Sequence, residues 1–235
     1  MKGLIVLPTY NEAENIDKVI SKIIQHSSLD ILVVDDNSSD GTAQKVQEWM
    51  KKEKRVNLLK RPSKLGLGTA YVDGFRWGLE RDYQVFFEMD ADMSHDPSDI
   101  PRFLKKVEEG CDLVVGSRYT KGTISVVGWD FKRLLLSKFA NFYATTILNL
   151  KPFTDITSGY RCYKREVLEK IDLSGTKSNG YAFQIETFYK AHKLGFRVCE
   201  IPIIFYERNS GASKMSKKIA LEAAIMVWRL RCAKT

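Results

Sequence analysis

The sequence predicts an α/β fold, a mostly parallel sheet with helices on both faces. Three observations predict it. Five short apolar runs alternate with stretches of helical periodicity between Gly3 and Gly116. The runs are nearly continuous in apolar residues instead of alternating, as strands covered on both faces are. Polar, acid-rich segments follow the strand ends, where open α/β sheets carry their ligands.

The first strand is expected at Gly3 to Leu7, and Pro8-Thr9-Tyr10-Asn11-Glu12 is the turn after it. Ile16, Val19, Ile20, Ile23 and Ile24 then recur at the spacing of an amphipathic helix. Ile31 to Val34 is a second buried strand, followed by Asp35-Asp36-Asn37-Ser38-Ser39-Asp40-Gly41-Thr42 and a helix with Val46, Trp49 and Met50 inward. Val56 to Leu59 is a third strand. Lys64-Leu65-Gly66-Leu67-Gly68-Thr69-Ala70 opens a helix running to about Leu79. That glycine-rich segment is neither a Walker loop nor G-x-G-x-x-G, and the simpler reading is a tightly packed helix start. Val85 to Met89 is the fourth strand, a helix carries Ile100, Phe103, Leu104 and Val107, and Asp112 to Gly116 is the fifth strand.

The second half changes character. Thr120 to Val127 reads as a loop and Phe131 to about Leu148 as a helix. Asp155 to Lys164 is a mixed polar and aromatic stretch. Helices follow at Arg165 to Ile171 and from Tyr181. Arg197 to Phe205 is a strand broken at Pro202, which predicts a sheet edge or a bend. No repeat or linker divides the 235 residues, so a single domain is expected.

Apolar content is 44%, ordinary for a globular chain. Met1-Lys2-Gly3 leads straight into a strand, so no secretory leader is expected, and no apolar run reaches the roughly 20 residues needed to span a bilayer. Cys111, Cys162, Cys199 and Cys232 are widely spaced and are expected to be reduced, cytosolic and structural. The net charge of +8 fits a nucleic acid, an anionic membrane surface or a phosphorylated substrate. The acid-rich strand ends argue against nucleic acid, and basic residues are not interleaved with aromatics as in a single-strand groove.

Asp90 and Asp92 stand one residue apart at the end of the fourth strand, on one side of an extended backbone. Two hard anionic ligands there suit Mg²⁺ or Mn²⁺, with other positions left for water and phosphate oxygens. The competing reading is that they cap a turn. The rest of the chain favours the first.

PTYNE, VVDDNSSDGT, DADMSHDP, GSRY, SGYR and a late R-x-x-G-x-S-K form an ordered series from Leu4 to about Leu230. The series resembles the family 2 glycosyltransferases of the GT-A (Rossmann-like) fold, and more narrowly the dolichyl- or polyprenyl-phosphate mannose synthases. DADMSH, the Gly128-Trp129…Arg133…Ser137 segment and Arg208 to Lys214 carry the narrower likeness.

The resemblance implies a mannosyl transfer from GDP-mannose to a dolichyl or polyprenyl phosphate, with inversion. It divides the chain into a nucleotide-sugar half (1–117), an acceptor-side half (118–213) and a basic amphipathic C-terminal helix (214–235). Pro8, Tyr10, Glu12, Val34 and Asp36 match the donor's nucleoside contacts, although Glu12 and Asp36 also suit helix caps. Asp90, Ala91 and Asp92 match the donor- and metal-binding motif, and Ser94 the position of a third metal ligand. Arg118 matches a residue beside the sugar and phosphates, so Asp92 and Arg118 are the expected catalytic pair; a surface ion pair is the competing reading for Arg118. Arg208 and Lys214 match a basic pair closing over the diphosphate, and the small residues between them predict a closing loop. Arg133 and Ser137, one helical turn apart, are the candidates for the acceptor phosphate, with Lys132 adjacent. An acceptor phosphate is already anionic, so no strong general base is required. His95 is expected to be structural, and His26 and His192 to lie on helix surfaces.

Ile219 to Trp228 is apolar and flanked by Lys217, Lys218, Arg229 and Arg231. It is too short to span but suits either an interfacial helix or a C-terminal helix packed on the sheet. The expected location is therefore peripheral, on the cytoplasmic face of a membrane, alone or through an anchoring subunit. Two alternatives stay open: a polyprenyl-phosphate glucosyl or aminosugar transferase using a UDP-sugar, and a non-catalytic nucleotide- or nucleic-acid-binding module.

Overall fold

The computed structural model describes residues 1–173, 181–207 and 217–232. The first half runs β1 (Gly3–Thr9), α1 (Ile16–His26), β2 (Asp30–Asp35), α2 (Thr42–Lys52), β3 (Val56–Lys60), α3 (Leu67–Leu79), β4 (Val85–Glu88), α4 (Ile100–Glu108) and β5 (Leu113–Ser117). The second adds β6 (Val126–Val127), α5 (Phe131–Ile147), β7 (Arg161–Lys164), α6 (Arg165–Lys170), α7 (Tyr181–Lys193), β8 (Val198–Pro202), β9 (Phe205–Tyr206) and α8 (Lys217–Cys232).

One sheet has the strand order β3-β2-β1-β4-β7-β5-β8, and β6 and β9 form a small parallel pair. Every pairing in the large sheet is parallel except those of β7, which is antiparallel to both neighbours. The strand order reverses between β1 and β4. That is the switch point at which the loops after two neighbouring strands diverge and leave a crevice.

Alternate residues of each strand enter opposite cores. Leu4 and Val6 join Phe75, Phe86, Tyr163 and Phe183 on one face. Ile5 and Leu7 join Ile20, Phe87, Phe103 and Val114 on the other. Two glycines let α3 lie close to the sheet. A Cβ on Gly74 would stand 2.5 Å from Val6 Cγ1, and one on Gly78 would stand 2.4 Å from Phe86 Cε1.

The structure corrects four expectations. Arg161–Lys164, left unassigned in the polar stretch after Asp155, is strand β7. It lacks an apolar run because its arginine is buried and satisfied by polar partners inside the core. The segment Thr120 to Val127 is not all loop, since it ends in β6. Met50 is 42% exposed instead of inward, because α2 packs chiefly on the edge strand β3, where the apolar contact is narrow. Finally, Cys111 and Cys199 are joined in a disulfide. Their sequence separation of 88 hides the pairing, but β5 and β8 are register neighbours and bring the two sulfurs together. Cys162 and Cys232 are thiols. The break expected at Pro202 is present: β8 is the edge strand and ends there.

Candidate active site

The first wall of the crevice is built from the loops after β1 and β2, which are stitched together. Asn11 and Asn37 both take left-handed backbone, with φ of 59° and 58°, a conformation Asn tolerates better than most side chains. The Asn11 N–H donates to Ser38 Oγ, and the Ser39 N–H donates back to Asn11 Oδ1. Asp40 accepts from the Ala13 N–H, and the Glu12 N–H donates to Thr42 Oγ1. Glu12 Oε2 accepts from Asn15 Nδ2 at 2.9 Å. The loops therefore form one braced surface. Pro8 and Val34 are register partners beneath it, and Val34 is fully buried. The Tyr10 ring carries Lys64 Nζ 3.7 Å from its centroid.

Asp36 is 6% exposed and both of its oxygens are engaged. Oδ1 lies 2.9 Å from Arg61 Nε, and Oδ2 accepts from the Leu65 and Gly66 N–H groups at the start of α3. The carboxylate thus anchors the glycine-rich segment ahead of α3, and it does not cap α2, the helix that follows it in the chain.

The second wall follows β4. Glu88 is fully buried, and that burial pushes its pKa up to about 7 while Arg161, its partner across the β4–β7 ladder, acts to lower it. Asp90 and Asp92 emerge from this apolar strand into partial exposure, with the Asp90 side chain 32% exposed. Ala91 between them is buried. Asp92 Oδ1 accepts the Ser94 N–H at 3.0 Å, and Tyr71 Oη lies 3.5 Å from Asp90 Oδ1. Ser94 is 2% exposed and its carbonyl accepts from the Tyr206 N–H.

His95 locks the turn from within. Its Nδ1 accepts the Asp90 N–H at 3.0 Å, and its ring stacks on Tyr160 at 4.8 Å. Burial depresses its pKa to about 4, so the ring is neutral with its proton on Nε2. The structural reading of His95 follows from this geometry. His26 and His192 are exposed on their helices, as expected.

A divalent cation fits the donor set at the end of β4. Asp90 and Asp92 supply hard carboxylate oxygens at the mouth of the switch-point crevice. Among the described residues no three His, Cys, Asp or Glu side chains converge to hold an ion. Two carboxylates with the other positions filled by water and phosphate oxygens is the way Mg²⁺ is commonly bound.

The third wall gathers around Trp129. Arg118, at the end of β5, is 4% exposed, so its ion pair is a buried one. Asp155 meets its guanidinium, Thr157 Oγ1 accepts from Nη2, and Asn141 of α5 donates to both Asp155 and Thr157. Asp155 is itself held by Glu200 of β8, whose Oε1 accepts the Asp155 N–H at 2.8 Å. Burial raises the Glu200 pKa. The Trp129 ring lies 5.3 Å from the Arg118 guanidinium and 4.4 Å from that of Arg133. Arg133 pairs with Glu207, and Ser137 Oγ accepts from Tyr119 Oη at 2.8 Å. One turn of α5 thus carries both residues onto the face next to the residue that follows Arg118.

The structure brings together Pro8, Tyr10, Glu12, Val34 and Asp36 on one side, Asp90, Ala91, Asp92 and Ser94 on another, and Arg118, Arg133 and Ser137 on a third. Arg208, Lys214 and the closing loop between them lie outside the described residues. Sequence reading gave no role to Asn141, Asp155, Glu200 or Glu207. Each acts through a partner 14 or more positions away, and no local spacing signals that.

The profile of glycosyl transferase family 2 matches residues 4–172. The polyprenol monophosphomannose synthase of Mycolicibacterium smegmatis is 48% identical over 235 residues, covering 98% of this chain and 88% of that protein. The undecaprenyl-phosphate mannosyltransferase of Micrococcus luteus is 43% identical over 230 residues, covering 97% and 93%. Among solved structures, the glucosyl-3-phosphoglycerate synthase of Mycobacterium tuberculosis, in complex with Mn²⁺, UDP and glucosyl-3-phosphoglycerate, superposes with a TM-score of 0.71. It is 18% identical, with 98% of this chain and 80% of that chain covered. A mannosyltransferase from Pyrobaculum calidifontis, in complex with GDP-Man and Mn²⁺, gives a TM-score of 0.64 at 19% identity, covering 90% and 58%. These two likenesses establish the GT-A-like fold.

Proposed function

The chain belongs to glycosyl transferase family 2, and from that premise we propose that it transfers mannose from GDP-mannose to a polyprenyl phosphate with inversion at the sugar carbon. The observation that carries the reading is the pair of relatives above 40% identity, both named for mannosyl transfer to or synthesis on a polyprenyl carrier. The arrangement of the three walls supports it.

In this reading the nucleoside lies against Pro8, Tyr10, Glu12, Val34 and the loop that Asp36 anchors. Asp90 and Asp92 would hold Mg²⁺ or Mn²⁺, with Ser94 beside them. When bound, the cation neutralises charge building on the departing nucleoside diphosphate. Arg208 and Lys214 add positive charge to the same diphosphate.

The acceptor phosphate oxygen is the nucleophile and is anionic at neutral pH, so no side chain has to remove a proton. His95 does not serve as a base at the reacting centre, since the Asp90 amide already occupies its Nδ1. Arg133 and Ser137 receive the acceptor phosphate, and Arg118 stands at the sugar side, fixed by Asp155. Residues 1–117 then serve the donor and residues 118–213 the acceptor.

The acceptor's lipid requires a membrane surface. No helix among the described residues is long and apolar enough to cross a membrane. On α5, however, Phe131, Leu135, Phe139 and Phe142 are 75%, 59%, 60% and 67% exposed, spaced along one side beside exposed Lys132 and Lys138. Ile225 and Trp228 are exposed on α8, with Arg229 and Arg231. Apolar side chains flanked by cations suit the boundary of an anionic bilayer, here its cytoplasmic face. A membrane-anchoring partner would add to this attachment.

The test is a transfer assay offering GDP-mannose and UDP-glucose with Mn²⁺ to short- and long-chain polyprenyl phosphates. Transfer from GDP-mannose with a β-linked product is expected. Preferential use of UDP-glucose would replace the donor, and no transfer to any polyprenyl phosphate would remove the acceptor.

A further inference from the structure

Arg133, the candidate for the acceptor phosphate, already holds an anion. Its Nη1 lies 2.5 Å from Glu207 Oε1, with the two side chains 21% and 37% exposed. The position of Glu207 is built into the fold. It follows β9, and its N–H donates to the Val127 carbonyl at 2.9 Å, extending the β6–β9 pairing. Gly128 makes room for the side chain: φ there is +88°, and an added Cβ would stand 2.9 Å from Glu207 Cβ. The same Arg133 guanidinium lies over the Trp129 ring, 4.4 Å from its centroid. The first turn of α5 is fixed independently, by the Asp130 cap on the Arg133 N–H.

We propose that the Glu207 carboxylate is an internal stand-in for the acceptor phosphate, occupying Arg133 at rest and yielding only to a phosphate monoester. This rests on the assignment of Arg133 to the acceptor. A guanidinium fork accepts carboxylate and phosphate oxygens in the same planar geometry, so the two anions compete for one group. A phosphate monoester carries a charge of about −1.5 to −2 near neutral pH, against one negative charge on the carboxylate. A phosphodiester headgroup carries a single negative charge and faces a carboxylate tethered at high effective concentration. Glu207 therefore sets a threshold at Arg133: it lowers the apparent affinity of every anion by the same factor, which leaves the more highly charged monoester able to bind and the phosphodiester too weak to do so. It keeps abundant anionic phosphodiesters off Arg133 at a membrane surface and admits the scarcer monoester. The contact is partly exposed, so its strength is modest and displacement is easy.

The experiment is Glu207→Gln, with Arg133→Ala and the double variant, assayed with GDP-mannose, Mn²⁺ and a short-chain polyprenyl phosphate in neutral detergent. Phosphatidylglycerol is then titrated in as competitor. In Glu207→Gln the KM for the polyprenyl phosphate is expected to fall about two- to fivefold, the range that loss of a partly exposed ion pair allows. The KM for GDP-mannose should stay level, and inhibition by phosphatidylglycerol should strengthen by a similar factor. On the Arg133→Ala background both effects should vanish. An unchanged or raised acceptor KM in Glu207→Gln, with no gain in phosphatidylglycerol inhibition, overturns the stand-in. Arg133→Ala alone tests the underlying assignment. If it leaves the acceptor KM unchanged, the acceptor reading fails, whatever Glu207→Gln does.

Discussion

Arg118 and Asp155 meet through two parallel hydrogen bonds, Nε to Oδ2 and Nη2 to Oδ1, each 2.6 Å long. The Arg118 N–H adds a third, to Oδ2 at 2.9 Å. Both side chains are buried, at 4% and 0% exposed. Removing one partner of such a pair leaves a charge in a medium that solvates it poorly, at a cost of about 3–5 kcal/mol. Asp155→Asn keeps the shape and loses the charge. The expected outcome is a loss of roughly 3 kcal/mol or more, read as a fall in Tm of about 6–12 °C in calorimetry. A Tm within 2 °C of the parent would mean that Arg118 finds its compensation elsewhere.

This pair also marks how far the sequence could be read. Four of the five parallel strands of the first half were legible because they are buried on both faces and so carry their own apolar runs; β3, at the sheet edge and only half-buried, was still marked by Val56, Leu58 and Leu59. The wall built from PTYNE, the Asp36 loop and DADMSH was legible because its residues are local to strand ends. β7 was not, because Arg161 breaks the apolar pattern, and its burial makes sense only once Ile156, Ser158 and Gln184 offer carbonyls to it. Asp155, Glu200 and Glu207 were missed for the same reason. Their importance lies in partners that only the tertiary fold supplies. The Cys111–Cys199 bond belongs to this class too, since strand adjacency and not spacing sets it.

Asp92→Asn tests the cation site. Asn keeps an oxygen to accept the Ser94 N–H, so the turn and the fold should survive, with Tm changed by only a few degrees. What is lost is a hard anionic ligand. In the parent, Mn²⁺ together with GDP should raise Tm through linkage, and the rise should grow with ligand concentration. In Asp92→Asn the Mn²⁺-dependent part of that rise should disappear, and transfer should fall by at least a hundredfold. A variant that keeps both would move the cation away from Asp92.

The membrane reading depends on the exposed side of α5. Leu135→Glu with Phe142→Glu replaces two exposed apolar side chains, one near each end of the stripe. Neither supports the core, so stability should change by less than about 1 kcal/mol. Burying two such side chains in a lipid interface is worth up to about 3 kcal/mol, so binding to anionic vesicles should drop roughly a hundredfold. Transfer to a detergent-solubilised short-chain acceptor should be largely kept. Co-sedimentation with phosphatidylglycerol vesicles reads the first effect, and undiminished binding would place the membrane contact elsewhere.

The Cys111–Cys199 bond ties the edge strand β8 to the segment that leads into β5, and the next residue along β8 is Glu200, the acceptor for the Asp155 amide. The bond spans 88 residues of chain, so in the loop-closure picture it restricts the unfolded ensemble strongly. Cys111 is 1% exposed, and serine there is close in size, so the native contacts should largely persist. Cys111→Ser is expected to lower stability by about 2–4 kcal/mol and Tm by roughly 4–16 °C. Reducing the parent with excess dithiothreitol should lower its Tm by a similar amount. The same treatment should leave the variant's Tm unmoved. If reduction shifts parent and variant equally, the stabilisation does not come from this bond. If neither the substitution nor reduction moves the Tm, β8 is held in place by its pairing to β5 and by Glu200 alone.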